Sequence, residues 1–513
     1  MAISWLSLAL LVVPCAARDA TTTNAPPLNP ARQAYSLEWC DCGEGLASVT
    51  VYPEGGNASA AVTVPLGDSS PHWFRFDDGT AAAAAAAKPV SKIFWKCDGM
   101  EAFAETKFSS PQVYWSVQHT LESKGGLTCG KAATGRLRVV GWSAAPYATS
   151  VPYASGEGGY GCIKIPVLLR LRSGSLLAIA EARVEGCSDF ANTDLVQKTS
   201  TDGGASWGAL AVIRTARGPG LPPTVIGNAA PVQLGEPAAH GGVGVAGRIV
   251  LPHTRNNSDT WVTHSDDDGA TWAPATPLGA NGTVPGQWNW VATGPPGALQ
   301  LRSGRILVPM YHGQNRGNIA NNKVHGNVLL SDDGGGSWRL ASQSGFGAAD
   351  KYSNENQAVE LRNGSVLINA RALANTHDFR RIQTRSDDGG ETFGPTRYVP
   401  ELPQPIDGCE GSTVVVPRDR PAGAPRQLVF SGPDSTLFRT KMTLWTSDDE
   451  GASWQTLAAL DGGSSGYSSL QIECPADAAT PCDALLLYEQ SDGADIPVQN
   501  PDRFIFRRIP LKV

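Results

Sequence analysis

Charge is scarce in this chain. Lys, Arg, Asp and Glu together make up 17% of its 513 residues, and the balance is acidic, with a formal net charge of −7. A nucleic-acid partner needs a basic patch or stripe, and none is visible. Long apolar runs are also missing. The main one, Ile3 to Val13, is shorter than the roughly 20 residues that a spanning helix requires. Histidine is limited to 8 residues, and the ten cysteines include no Cys-x-x-Cys pair, so neither a metal site nor another bound cofactor is expected. What the chain has in quantity is Gly (57) and Pro (37). That mix fits many short strands joined by turns better than long helices.

One phrase recurs five times: Ser-x-Asp-x-Gly-x-Ser/Thr-Trp/Phe, at Ser200–Trp207, Ser265–Trp272, Ser331–Trp338, Ser386–Phe393 and Ser447–Trp454. The first serines are 65, 66, 55 and 61 residues apart, a period that marks a stacked or radial array. Within the phrase, Asp and Gly make a turn. The Asp side chain bonds local amides, the Gly takes a positive φ, and the aromatic packs under the next strand. From residue 158 to 513 the chain has room for about six such units, each a strand–turn–strand pattern of four short strands. An all-β, six-bladed β-propeller follows, with five blades fastened and a sixth closing the ring.

The flanks read differently. Residues 1–17 resemble a secretory signal, with an apolar run and a small-residue exit at Ala16-Ala17 but no leading Lys or Arg. This points to the secretory pathway and a secreted or lysosomal protein, in keeping with sequons at Asn57, Asn256, Asn281 and Asn363. Residues 18–34 are a Thr/Pro/Asn-rich leader. Residues 35–147 form a small disulfide-braced β domain or cap with an exposed alanine insertion at Ala81–Ala87, and Ser143–Gly161 is an Ala/Ser/Pro/Gly linker. Cys40, Cys42, Cys97 and Cys129 cluster in the cap, while Cys474 and Cys482 lie close together. In an oxidising compartment these are disulfide partners. Cys162 with Cys187 is a further pair, leaving Cys409 free.

The segment Lys164-Ile165-Pro166, followed by the strand ending Glu181-Ala182-Arg183, resembles the opening blade of the sialidase (exo-α-neuraminidase) family. The resemblance runs through residues 158–513. It implies a sialylated glycoconjugate substrate whose sugar bears a carboxylate at the anomeric carbon. A planar arginine fork meets a carboxylate with two parallel hydrogen bonds, and the family uses three arginines. Arg371, in Asn369-Ala370-Arg371, and Arg439, in Arg439-Thr440-Lys441-Met442-Thr443, match two of them. At the third position this chain has Lys164. Exchanging a fork for a point donor forfeits about 1.5–3 kcal/mol of charged hydrogen bonding. Arg183 lines the pocket or makes a structural salt bridge.

The resemblance also assigns the reacting groups. Sialidases are retaining glycosidases that use Tyr as nucleophile. A neutral attacker avoids repulsion by the substrate's carboxylate, provided that a neighbouring Glu takes its proton. Tyr467, in Gly466-Tyr467-Ser468-Ser469-Leu470, is the nucleophile, and Glu355, in Asn354-Glu355-Asn356-Gln357, is its base. Strand alternation places Glu355 and Gln357 on one face and Glu360 on the other. Asp189 is the acid/base, six residues after Arg183, with Asp194 a competing carboxylate that reads as structural. Trp288 and Trp290 flank the rim. The reading is a retaining exo-α-sialidase without metal or cofactor. A non-catalytic propeller and a trans-sialidase remain its alternatives.

Overall fold

In a computed structural model the chain forms two compact units, Met1–Pro146 and Tyr147–Val513. The structure describes residues 148–511 except 217–223, 236–243, 279–287, 289, 314–323, 342–345, 347–351, 373–378, 406–407, 418–426, 437–438, 462–463, 476–479 and 492–500; before residue 148 it describes the backbone of eight strands. The signal, most of the leader, Asn57, Asn281, the alanine run and the side chains of Cys40, Cys42, Cys97 and Cys129 lie outside the described residues. The first unit carries two four-stranded antiparallel sheets, one around Ala34–Cys40 and Arg136–Trp142, the other around Leu46–Pro53 and Val90–Cys97.

The second unit is a six-bladed β-propeller of antiparallel sheets. The innermost strand of blade 1 is Cys162–Arg170, of blade 4 Ser353–Glu360, of blade 5 Ser412–Val415 and of blade 6 Ser465–Glu473. In blades 2 and 3 two short pieces, Ile226–Gly227 with Val232–Gln233 and Trp290–Thr293 with Leu299–Gln300, share the inner edge. Side chains knit the inner strands blade to blade. Leu168 N–H donates to Ser469 Oγ (2.9 Å), Leu470 N–H to Ser412 Oγ (3.0 Å) and Thr413 N–H to Gln357 Oε1 (2.7 Å).

Each blade is apolar on both faces because it packs on both sides. Leu177 and Ile179 meet Ile249 and Leu251 of blade 2, while Leu176 and Ala178 join a cluster with Leu485 and Phe506 of blade 6. Period-two alternation within one strand thus feeds two separate cores. Six such clusters, one between each neighbouring pair of blades, account for the ring. Every Leu or Ile fully buried in them contributes roughly 1.5–3 kcal/mol.

The five fasteners occupy the link between third and fourth strand in blades 1 to 5. All five repeat the same bonds. In the first, Ser200 Oγ donates to Asp202 Oδ1 (2.8 Å) and accepts from Gly204 N–H (2.8 Å), and Asp202 accepts from Ser206 N–H (2.9 Å) and Oγ. The packing differs from the sequence expectation: the aromatic faces the preceding blade. Trp207 packs edge-on against Phe506 and donates to Ser150 Oγ of blade 6, and Trp272 donates to Gln197 Oε1 of blade 1. Gly204 has φ +91°, and a Cβ there would lie 2.0 Å from Phe506 Cε1, so the turn needs glycine.

The sixth blade has no fastener because it has no such hairpin. Its fourth strand is Ala148–Ala154, from the other end of the propeller chain, paired with Arg503–Pro510. This corrects the reading of Ser143–Gly161 as a linker and of residue 158 as the propeller's start. Composition suggested a linker, yet Tyr153 is fully buried, packs edge-on against Phe504 and donates its hydroxyl to Ala178 O (2.6 Å). One small strand thereby bonds the two ends of the ring.

Candidate active site

Three inner strands share one irregularity. Against its second strand, each carries one extra residue: between Lys164 and Val167 in blade 1, Ser353 and Asn356 in blade 4, and Ser465 and Ser468 in blade 6. Such a bulge bends a strand and re-aims its side chains. Glu355 and Tyr467 lie inside two of the bulges and Lys164 borders the third. The alternation that separates Gln357 from Glu360 holds: Gln357 bonds Ser412 of blade 5, and Glu360 pairs with Arg302 of blade 3. Glu355 departs from it, because the bulge and not the pleat sets its direction.

These bulges bring together groups from distant blades. The Tyr467 hydroxyl donates to Glu355 Oε1 at 2.5 Å and accepts from Arg371 Nη1 at 2.8 Å, while the same Arg371 nitrogen donates to Glu355 Oε2 at 2.6 Å. The guanidinium of Arg439 lies 5.0 Å from the centre of the Tyr467 ring, held by Nε and Nη2 donating to Gly408 O. All four side chains are buried or nearly so. Burial, then the Glu355 carboxylate, pushes the Tyr467 phenol well above its ordinary range. The phenol is therefore neutral, with a proton acceptor at hydrogen-bond distance.

Lys164 is buried, and its ammonium makes no ion pair within 4 Å among the described residues. Burial lowers it below the usual lysine range; Glu489 opposes that shift and Arg183 adds to it. Arg439 likewise has no carboxylate partner among the described residues. Two buried cations with no salt-bridge partner within 4 Å among the described residues, beside a third, Arg371, attract an anion.

Asp189 sits on the loop after Arg183, its side chain 56% exposed. Arg183 Nη1 donates to Asp189 Oδ1 (2.7 Å) and to Cys187 O (2.6 Å), and Nη2 donates to Glu181 Oε2 (2.7 Å). Of the two readings of Arg183, the salt bridge is present. Burial works to raise the Asp189 carboxyl, but Arg183 and then Lys164 outweigh it, and the net shift is downward. The Cys162–Cys187 disulfide ties this loop to the start of the inner strand. Cys474 pairs with Cys482, and Cys409 is a buried free thiol, pushed up to about 12 chiefly by burial. Asp194 is fully buried and accepts the Tyr160 hydroxyl (2.8 Å). Trp288 is buried and stacks on His312 at 3.4 Å, so it is a core residue of blade 3 and not part of a rim.

Residues 249–474 match the BNR repeat-like domain family. A sialidase of Micromonospora viridifaciens is 29% identical over 331 residues, covering 62% of this chain and 49% of its own. Human sialidase-4 is 32% identical over 297 residues, covering 53% and 58%. Over these stretches the chain is similar to sialidases. It spans about half the length of these curated relatives. The solved structure of the Hadza microbial sialidase Hz136 has the same fold, with TM-score 0.59, 18% identity and 93% of each chain covered.

Three carboxylates and a phenol of the candidate site are absent from the sequence expectations. Glu489, fully buried, accepts the Ile165 N–H (3.0 Å) and the Tyr467 N–H (3.1 Å), locking the bulges of blades 1 and 6 together. A Cβ on Gly466 would lie 2.4 Å from its Oε2, which accounts for the glycine before Tyr467. Glu181 anchors Arg183 and accepts the Asn228 N–H (2.8 Å). Glu410 accepts the Ser468 N–H (2.8 Å), and burial raises it well above the carboxylate range. A signal for Glu489 existed: a carboxylate directly after the apolar run Ala484–Tyr488 has to be buried with partners. Tyr311 is buried with its phenol in the field of Glu355, Arg371 and Asp189, and nothing in its strand sets it apart from core.

Proposed function

We propose that this protein is a retaining exo-α-sialidase, on the strength of one observation above all: the Tyr467–Glu355–Arg371 hydrogen-bonded triangle, built from blades 4 and 6. A phenol with a buried carboxylate at 2.5 Å is a nucleophile with its base in place. Lys164, Arg371 and Arg439 receive the sugar carboxylate. Asp189 protonates the departing glycosidic oxygen. Tyr467 Oη bonds to the anomeric carbon as its proton passes to Glu355 Oε1, and the C–O bond to the leaving group breaks. Arg371 Nη1, already donating to Tyr467 Oη, stabilises the charge developing there. Water then attacks the anomeric carbon while Asp189 takes its proton, Tyr467 departs, and Glu355 returns the proton to it.

Asp189 starts with its carboxyl held low, chiefly by Arg183 and Lys164 against the effect of burial. A substrate carboxylate seated on Lys164 neutralises one of those two cations, which raises Asp189 and supplies the acid when substrate is bound. A secreted or lysosomal setting, with the secretory leader, accords with the two disulfides. The test is fluorophore release from the 4-methylumbelliferyl α-glycosides of N-acetylneuraminic acid and of its deaminated relative. Turnover of at least one is expected. No turnover of either by folded protein defeats the reading.

A further inference from the structure

Beside the proposed acid stands an exposed aromatic. Phe190 directly follows Asp189 and is 53% exposed, one of few large apolar side chains left open among the described residues. Its ring meets that of Trp290, from the inner edge of blade 3, edge-on at 6.1 Å between centres and 76° between planes. Trp290 is half-buried, and its indole N–H bonds the Tyr311 phenol, which lies in the field of Glu355, Arg371 and Asp189. The two rings therefore link Tyr311, through Trp290, to the loop that carries Asp189.

We propose that Phe190 and Trp290 form the subsite for the leaving group, and that they recognise the C–H-rich face of the sugar to which the terminal residue is attached. This rests on the sialidase reading, because Asp189 locates the subsite. The acid must stand within hydrogen-bond reach of the glycosidic oxygen, so whatever that oxygen carries lies against the residue next to Asp189. A pyranose presents a face of C–H bonds ringed by hydroxyls. An aromatic ring with one side open offers that face apolar contact while the hydroxyls stay in water. Phe190 is held by Trp290 from a different blade, so it meets the sugar with little freedom left to lose.

In the proposed subsite Phe190 is a specificity residue, whereas a loop-holding role alone would make it a positioning residue. The experiment compares kcat/KM for sialyl-lactose, whose leaving group is a sugar, with that for the methyl α-sialoside, whose leaving group has no ring, in wild type, Phe190→Ala and Phe190→Trp. In Phe190→Ala the ratio of the two values falls about three- to tenfold, and Phe190→Trp restores it. Equal losses on both substrates, with the acid limb of the pH profile displaced, assign Phe190 to holding the Asp189 loop and overturn the subsite. An unchanged ratio overturns it too. Absence of turnover of every sialoside by wild type overturns the sialidase reading itself, an outcome separate from any effect of the variants.

Discussion

Tyr467 and Glu355 stand 112 positions apart and share a hydrogen bond of 2.5 Å. Each comes from a bulge in an inner strand, and Arg371 Nη1 bonds both. In the proposed mechanism they share one task, so their losses are not independent. Tyr467→Phe and Glu355→Gln each lower kcat by roughly 10²–10⁴-fold, the range of a positioned proton-transfer partner. The double variant is little worse than either single one. Additive losses in steady-state kinetics would show that the two residues act separately.

In the proposed carboxylate clamp, Lys164 gives substrate binding a pH limit that an arginine would not. Its ammonium is lowered chiefly by burial, so it loses its proton below the usual lysine range. As pH rises through that lowered value the clamp loses a cation, and KM for an anionic substrate climbs. Lys164→Arg keeps the charge at all accessible pH and flattens KM across the alkaline limb. It also improves turnover of the common sialic acid if Lys164 is a drifted clamp residue. A KM profile with the same alkaline limb in both proteins removes Lys164 from the clamp.

The disulfide Cys162–Cys187 connects positions two residues before Lys164 and two before Asp189. Its removal in the double variant Cys162→Ser/Cys187→Ser releases the loop of the proposed acid at one end. Activity falls at least tenfold, and stability falls by about 3–4 kcal/mol for a closed loop of this size. The matched variant lacking Cys474–Cys482, which closes a loop of 8 residues, loses less stability and keeps its kcat. Thermal melts and kinetics on both variants check this. Equal activity in the two would separate the disulfide from the site.

Much of the ring was legible in the sequence, because a fastener is a local device whose Ser, Asp and Gly are bonded to one another. The closing strand was not. Ala148–Ala154 reads as a linker on composition, and only its pairing with Arg503–Pro510 makes it a strand. Among candidate site residues, Lys164, Glu355, Arg371, Arg439 and Tyr467 were named through the phrases around them, and the fold brings Glu355, Arg371, Arg439 and Tyr467 together. Tyr467 itself looks like any half-apolar strand residue until the bulge turns it towards Glu355. The bulges left no mark in the pattern, since one inserted residue is invisible without its partner strand. Glu489, Glu181 and Glu410 were missed because their work is to accept backbone and side-chain donors from other strands, a relation that no local spacing records.

In the proposed mechanism Tyr467 forms a covalent bond to the sugar. A 2,3-difluorosialic acid bearing a fluoride leaving group slows breakdown of such an intermediate, so that it accumulates and can be mapped by mass spectrometry of the digested protein. A single adduct on the peptide carrying Tyr467, and none in Tyr467→Phe, is expected. An adduct on Glu355 or Asp189, or protein that hydrolyses sialosides yet carries no adduct under these conditions, would contradict it.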